Sequence, residues 1–255
     1  MRFIVILLFL PLLTTASAPQ ETKPFKRVEV AYSFSPMVTY RWLTKNSFGP
    51  NSFDAAMQKE IMRGRNKREV EQFGFITGAR ARVNVVKYFA IESGVEYYLH
   101  RYMYKGDLFY LTTFNGSALD TVGTYKANYL YNYHYLKIPV AFTFTAGKGK
   151  FRAVFSFGTG LDVFLKLTQT TKSVMNGVKK TMTETSSEPF VKFNLTPFAG
   201  IGFEYAITGS MKIRVLPFAQ MQALKNIDAP ITERLWGGGV NLSFSYGFID
   251  VKNRE

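Results

Sequence analysis

The stretch FVKFNLTPFAGIGFEYA, from Phe190 to Ala206, alternates with a period of two. Val191, Phe193, Leu195, Pro197, Ala199, Ile201, Phe203 and Tyr205 fall on one face, while Lys192, Asn194, Thr196, Gly200, Gly202 and Glu204 share the other with Phe198. A helix would mix these two sets, and a strand separates them. KFRAVFSFGTGLDVFLKL repeats the pattern. Phe151, Ala153, Phe155, Phe157, Leu161, Val163, Leu165 and Leu167 oppose Arg152, Ser156, Gly158, Gly160, Asp162 and Lys166. One face is apolar for the whole length, and the other is polar and small.

Eight such segments follow one another, at about 28–44, 72–85, 88–104, 129–146, 150–168, 189–207, 211–225 and 232–248. Most exceed the usual strand length of roughly 5–6 residues and suit a bilayer crossing, which takes about 9–11. Short connections at Val86-Lys87, Gly147-Lys148-Gly149 and Thr208-Gly209 alternate with longer ones at 45–71, 105–128, 169–188 and 226–231. Outer-membrane barrels carry short periplasmic turns and longer external loops in this order. The pattern predicts an all-β fold, an eight-stranded antiparallel up-and-down transmembrane β-barrel with periplasmic termini. Helical propensity surfaces only in SFDAAMQKEIMRG, a short loop helix ending near Gly64.

Charge pairing indicates which face points inward. Across the Val86-Lys87 turn, antiparallel pairing brings Arg80 or Arg82 opposite Glu92, and Glu96 shares that face. Across Thr208-Gly209 the same construction brings Glu204 opposite Lys212 or Arg214. Opposite charges meeting on the polar face of two hairpins fit a narrow lumen filled by side chains. Polar inside and apolar outside is the inverse of a soluble barrel. In YLYNYHYLKIP, Tyr129, Tyr131, Tyr133 and Tyr135 share their phase with Lys137, whereas Leu136, Ile138, Val140, Phe142 and Phe144 form the lipid side. The tyrosines are therefore expected to plug the outer lumen, with Tyr135 near Gly160 or Asp162. Tyr97 is the better candidate for a lipid-facing girdle.

The N-terminus MRFIVILLFLPLLTTASA has Arg2, an apolar run to Leu13, and small residues at Ala16 and Ala18, the design of a signal peptide cleaved after Ala18. The apolar run is far shorter than the roughly 20 residues of a spanning helix. The expected organisation is a signal peptide at 1–18, a short lead at 19–27, a barrel at 28–249 and a tail at 250–255. Arg2 leaves with the signal, taking the 32 Lys and Arg to 31 against 18 Asp and Glu. An exported basic protein meets anionic lipid headgroups or surface polysaccharide rather than nucleic acid. The sequence has no Cys, so no disulfide is expected.

YLKIPVAFTF resembles the Tyr-Leu-x-Ile-Pro hallmark of the PorT-type outer-membrane β-barrel family. GFITGARARVNVVKYFAIESGVEYYL resembles that family's second hairpin, and FAGIGFEY and GGGVNLSFSYGF are similar to its late strands. The chain departs from the pattern at Lys137, where the family often carries an acid, and in the residues that follow Phe248. Membership implies a Gram-negative cell envelope, a location in the outer membrane, insertion by the barrel-assembly machinery and, for some members, a link to protein secretion.

Candidate chemistry is sparse. His100 and His134 lie near the external rim, but no Ser or Asp is tied to either by spacing, so a rim role is expected over general-base catalysis. With two histidines and no Cys a strong metal site is not expected, and no cofactor is expected either. Glu92 and Glu96 share a face, yet four residues at roughly 3.3 Å separate them by about 13 Å, beyond the ~5–9.5 Å of glycosidase carboxylates. Salt bridges to Arg80 and Arg82 are their expected role. The glycine-rich GTG, AGIG and GGG lack the context of a phosphate loop. In the first long connection Lys59, Arg63, Arg65, Lys67 and Arg68 mix with Glu60, Glu69 and Glu71. This reads as a solvated loop, with contact to lipopolysaccharide phosphates or a partner protein as the alternative. The expected function is a non-enzymatic, structural or accessory outer-membrane barrel, with membrane lipid, lipopolysaccharide and secretion-complex proteins as partners. A rim-active enzyme on lipid or peptide and a soluble carrier of apolar ligands are the competing readings.

Overall fold

Eight long strands hydrogen-bond into a closed antiparallel ring. The computed structural model describes residues 25–45, 55–113, 119–175, 178–186, 190–227, 229–248 and 250–251. The expected signal peptide lies outside them, as do residues 252–255 of the tail. In chain order the elements are β1 (Phe25–Lys26), β2 (Val28–Lys45), α1 (Ala55–Arg68), β3 (Glu69–Val86), β4 (Phe89–Thr113), β5 (Leu119–Ala146), β6 (Phe151–Met175), β7 (Val178–Ser186), β8 (Phe193–Ala206), β9 (Met211–Met221), β10 (Ile231–Gly247) and β11 (Asp250–Val251). The sheet order β5-β4-β3-β2-β10-β9-β8-β6 is closed by pairing of β5 with β6. β7 folds back on the outer part of β6, and β1 pairs with β11 beside the ring.

Connections at one end are tight: Lys87-Tyr88 between β3 and β4, 147–150 between β5 and β6, and 207–210 between β8 and β9. Gly147 and Gly149 take φ of 117° and 88° in the second of these, a left-handed backbone that side chains disfavour. α1 occupies the opposite, long-loop end and runs past Gly64 to Arg68 rather than stopping at the glycine. Its last-turn cations Arg65, Lys67 and Arg68 suit the negative end of the helix dipole.

Alternation maps onto the wall as expected. On β8, Asn194, Thr196, Gly202 and Glu204 are buried, while Leu195, Ile201 and Phe203 stand on the outside. Phe155 is 45 % exposed and Ile201 58 %, and Val30, Phe34, Val140, Phe142, Val215, Leu242 and Phe244 continue the same apolar belt around the ring. A water-soluble monomer rarely exposes so large a contiguous apolar surface, whereas a bilayer requires it. The inside carries Glu29, Arg82, Glu92, Glu96, Asp162, Glu204 and Arg214, all nearly inaccessible. The fold is an eight-stranded up-and-down transmembrane β-barrel.

Between β5 and β6 the register departs from the simple alternation. His134 pairs with Lys166, but the next residue, Tyr135, pairs with Phe164, so Leu165 is an extra residue in β6. Such a bulge leaves two successive residues on the same side. Leu165 and Lys166 are both exposed, and Leu167 is buried in the lumen instead of facing lipid. On the turn side of the bulge the hairpin register sets Tyr135 opposite Phe164, and not opposite Gly160 or Asp162. It is the Lys137 side chain that covers Gly160, where an added Cβ would meet its methylenes at 3.0 Å.

Candidate functional site

Inward alternation on eight strands crowds most charged residues of the polar faces into a narrow tube. Interior charges must pair there, because an unpaired buried charge costs several kcal/mol. They do so in three layers along the barrel axis.

The layer nearest the short turns is centred on Glu204. Its carboxylate accepts from Arg82 Nη1 at 2.8 Å, Arg152 Nη2 at 2.5 Å and Arg214 Nη2 at 3.3 Å, with Lys212 Nζ at 3.9 Å. Arg214 also donates to Glu92 at 2.8 Å, and Arg82 Nε lies 3.7 Å from the same carboxylate. Arg80 binds Glu96 through Nε and Nη2 at 2.8 and 3.1 Å, and Ser33 donates to the same carboxylate at 2.8 Å. Lys212 and Asn84 hold Glu29. Of the alternative registers, the ladders place Arg82 opposite Glu92 and Glu204 opposite Arg214. Gly78 and Gly94 stand opposite Glu96 and Arg80, in places where an added Cβ would meet neighbouring backbone at 2.2 Å. All seven residues expected to form a lumen network are thus brought together, joined by Glu29 and Arg152.

The middle layer is the pair Lys137 and Asp162, directly opposite each other on β5 and β6. Lys137 Nζ lies 3.5 Å from Asp162 Oδ1, donates to Gln220 at 2.6 Å, and sits 4.7 Å above the Tyr98 ring. Thr196 donates its hydroxyl to Asp162. Met37, Ile76 and Leu235 pack with the tyrosines around this level. A cavity lined by Ser35, Ile76, Arg80, Lys137 and Phe218 measures about 20 Å³, little more than one water needs.

The outer layer joins Arg41 to Glu69 and Glu233 by ion pairs. Arg41 also donates to the Tyr102 hydroxyl at 2.6 Å and stacks over that ring at 4.0 Å. The tyrosine row completes the layer. Tyr133 donates to Glu233 at 2.7 Å, Tyr135 donates to Asn226 at 2.7 Å, and Tyr131 stacks on Tyr102 at 4.9 Å. Arg41 and Glu233 were legible as inward by parity, but β2 and β10 come from opposite ends of the chain, so hairpin pairing does not unite them. Glu69 had no sequence signal. A register shift between Glu71 and Phe75 turns it inward, and Arg65 of α1 reaches it at 3.2 Å.

The two histidines part company. His100 is buried in the lumen, its Nδ1 2.8 Å from the Tyr98 hydroxyl. His134 lies on the outer face, its Nδ1 2.5 Å from the Tyr97 hydroxyl and its Nε2 3.3 Å from Thr168 Oγ1. Among the described residues neither bonds to a carboxylate or a serine, and no group of His, Asp and Glu is disposed to hold a metal. Glu92 and Glu96 serve as salt-bridge partners of Arg80, at 3.9 and 2.8 Å.

No protein-family model matches the chain, and no curated protein sequence matches it. Among solved structures it is similar to Neisserial surface protein A, with 9% identity over 89% of this chain and 100% of that one, at a TM-score of 0.44. It is also similar to the outer membrane protein OprG from Pseudomonas aeruginosa, with 7% identity over 88% and 98% of the two chains and a TM-score of 0.40. The outer membrane protease OmpT from Escherichia coli matches with 8% identity over 88% and 95% and a TM-score of 0.39.

Proposed function

We propose that the protein is a non-enzymatic outer-membrane barrel that holds a raised sheet outside the cell for a partner in secretion or surface assembly. A closed antiparallel barrel with an apolar belt belongs to an outer membrane, with its short turns in the periplasm. The observation that carries the docking role is the one-sided height of the wall. β4, β5 and β6 run for 25, 28 and 25 residues, while β8 and β9 have 14 and 11. From Leu99 β4 continues to Thr113, about 45 Å at roughly 3.3 Å per residue. β7 extends this sheet and forms its outermost strand, with no neighbour on its far side among the described residues. An exposed edge of this kind accepts an extended strand from another chain. The filled lumen favours a platform over a pore, since the cavities beside Lys137 and beside Arg82 and Glu92 measure about 20 and 10 Å³.

The test is in vivo photo-crosslinking from β7, with Thr181 or Thr183 replaced by a photoreactive residue, set beside a variant in which 169–185 is replaced by a short turn. The reading expects envelope proteins crosslinked to β7 and a shortened barrel that still inserts but no longer supports the dependent secretion or assembly. Absence of crosslinks together with full activity of the shortened barrel contradicts it. An enzymatic reading predicts instead that hydrolysis of lipid or peptide by the purified protein vanishes in His100→Ala or His134→Ala.

A further inference from the structure

The raised sheet leaves the apolar belt on β4, β5 and β6 through a patch that is neither apolar nor acidic. Leu99, His134 and Lys166 form one register row across the three strands, and Arg101, Asn132 and Thr168 form the next. By strand parity these residues lie on the outer side of the wall, one row beyond Tyr97 and Leu136, with Leu99 and Asn132 buried among their neighbours. Neighbouring strands are about 4.8 Å apart, so the patch spans about 10 Å.

Two of its polar atoms are buried without a hydrogen bond. They are Arg101 Nε, a donor, and Asn132 Oδ1, an acceptor. Asn132 is 7% exposed, and its amide nitrogen is already committed to Thr168 at 3.3 Å. Buried polar groups are almost always paired, so an orphaned donor beside an orphaned acceptor calls for a ligand that supplies both functions. Arg101 and Lys166 have no carboxylate partner among the described residues, and the outward faces of these strands carry no Asp or Glu at this level.

We propose that this patch binds the headgroup of a phosphorylated glycolipid, with its acyl chains along the belt below. A phosphate oxygen accepts from Arg101 and pairs with Lys166, and a sugar hydroxyl donates to Asn132 Oδ1. His134 is held by Tyr97 and Thr168 at the membrane edge and forms the floor. A simple anionic phospholipid supplies the charge without the array of ring hydroxyls, and a neutral one lacks the net charge. The inference rests on the placement of the barrel in an outer membrane.

The test is native mass spectrometry of the folded barrel in micelles, titrated separately with a diphosphorylated glucosamine-disaccharide lipid, its phosphate-free form and phosphatidylglycerol. Arg101→Gln combined with Lys166→Gln is expected to weaken the phosphorylated glycolipid by about tenfold or more, the effect of losing a charge-assisted hydrogen bond. Asn132→Leu is expected to weaken that lipid and leave phosphatidylglycerol unchanged, while Lys59→Gln on α1 leaves both unchanged. The proposal is overturned if the double variant binds like the parent. It is also overturned if the parent binds the phosphate-free lipid or phosphatidylglycerol equally well. Flotation of the parent with liposomes separates this failure from failure of the membrane reading, because a barrel that floats but shows no preference loses only the glycolipid site.

Discussion

Glu204 shows how much of the interior hangs on single side chains. It faces Arg82, Arg152, Lys212 and Arg214, so Glu204→Gln keeps the shape and leaves these cations without their shared anion. Breaking a buried ion pair from one side costs about 3–5 kcal/mol. The urea midpoint of the folded, heat-modifiable band is expected to fall accordingly, while Lys59→Gln on the exposed face of α1 stays within about 0.5 kcal/mol. Lys137→Met carries a second prediction. Alone it strands Asp162 and destabilises, and together with Asp162→Asn most of the loss returns, because two neutral groups need no counter-charge. The Glu204–Arg214 pair was legible because one tight turn brings its partners together. Arg82 reaches Glu204 across the barrel only after the ring closes, and no local pattern in the sequence announces that contact.

At the scale of elements, alternation predicted every barrel strand and failed where the backbone inserts a residue. The bulge at Leu165 reverses the phase of β6, so Leu167 enters the lumen and Lys166 leaves it. The sequence has no Cys, so single cysteines at 163–168 can be labelled one at a time. Residues 165 and 166 are expected to react alike from outside and 167 to be protected; strict alternation through 167 would remove the bulge. The sequence segments were too short at the outer ends of β4, β5 and β6 and too long at those of β8 and β9, which stop at Phe193 and Met221. β4 and β6 continue to Thr113 and Met175, beyond the stretch in which an apolar period marks a membrane strand.

The molecule as a whole is a soluble barrel turned inside out, its polarity inverted across the wall. An Arg in place of Val140, Phe155 or Ile201 is expected to cost roughly 2–4 kcal/mol where the site lies near the bilayer midplane. The loss is to be read as a reduced yield of folded protein in liposomes. Fold and inversion were legible because parity needs only neighbouring residues, whereas the raised sheet and the Arg101 patch depend on how three strands align beyond the membrane. The most direct measurement is nitroxide accessibility at single cysteines replacing Leu195, Ala199, Ile201 and Phe203 of β8 in reconstituted bilayers. Relaxation by oxygen that exceeds relaxation by a water-soluble nickel complex, with its greatest excess midway along the strand, is the predicted result. Nickel-dominated relaxation at all four positions would contradict the lipid-facing belt and with it the membrane barrel.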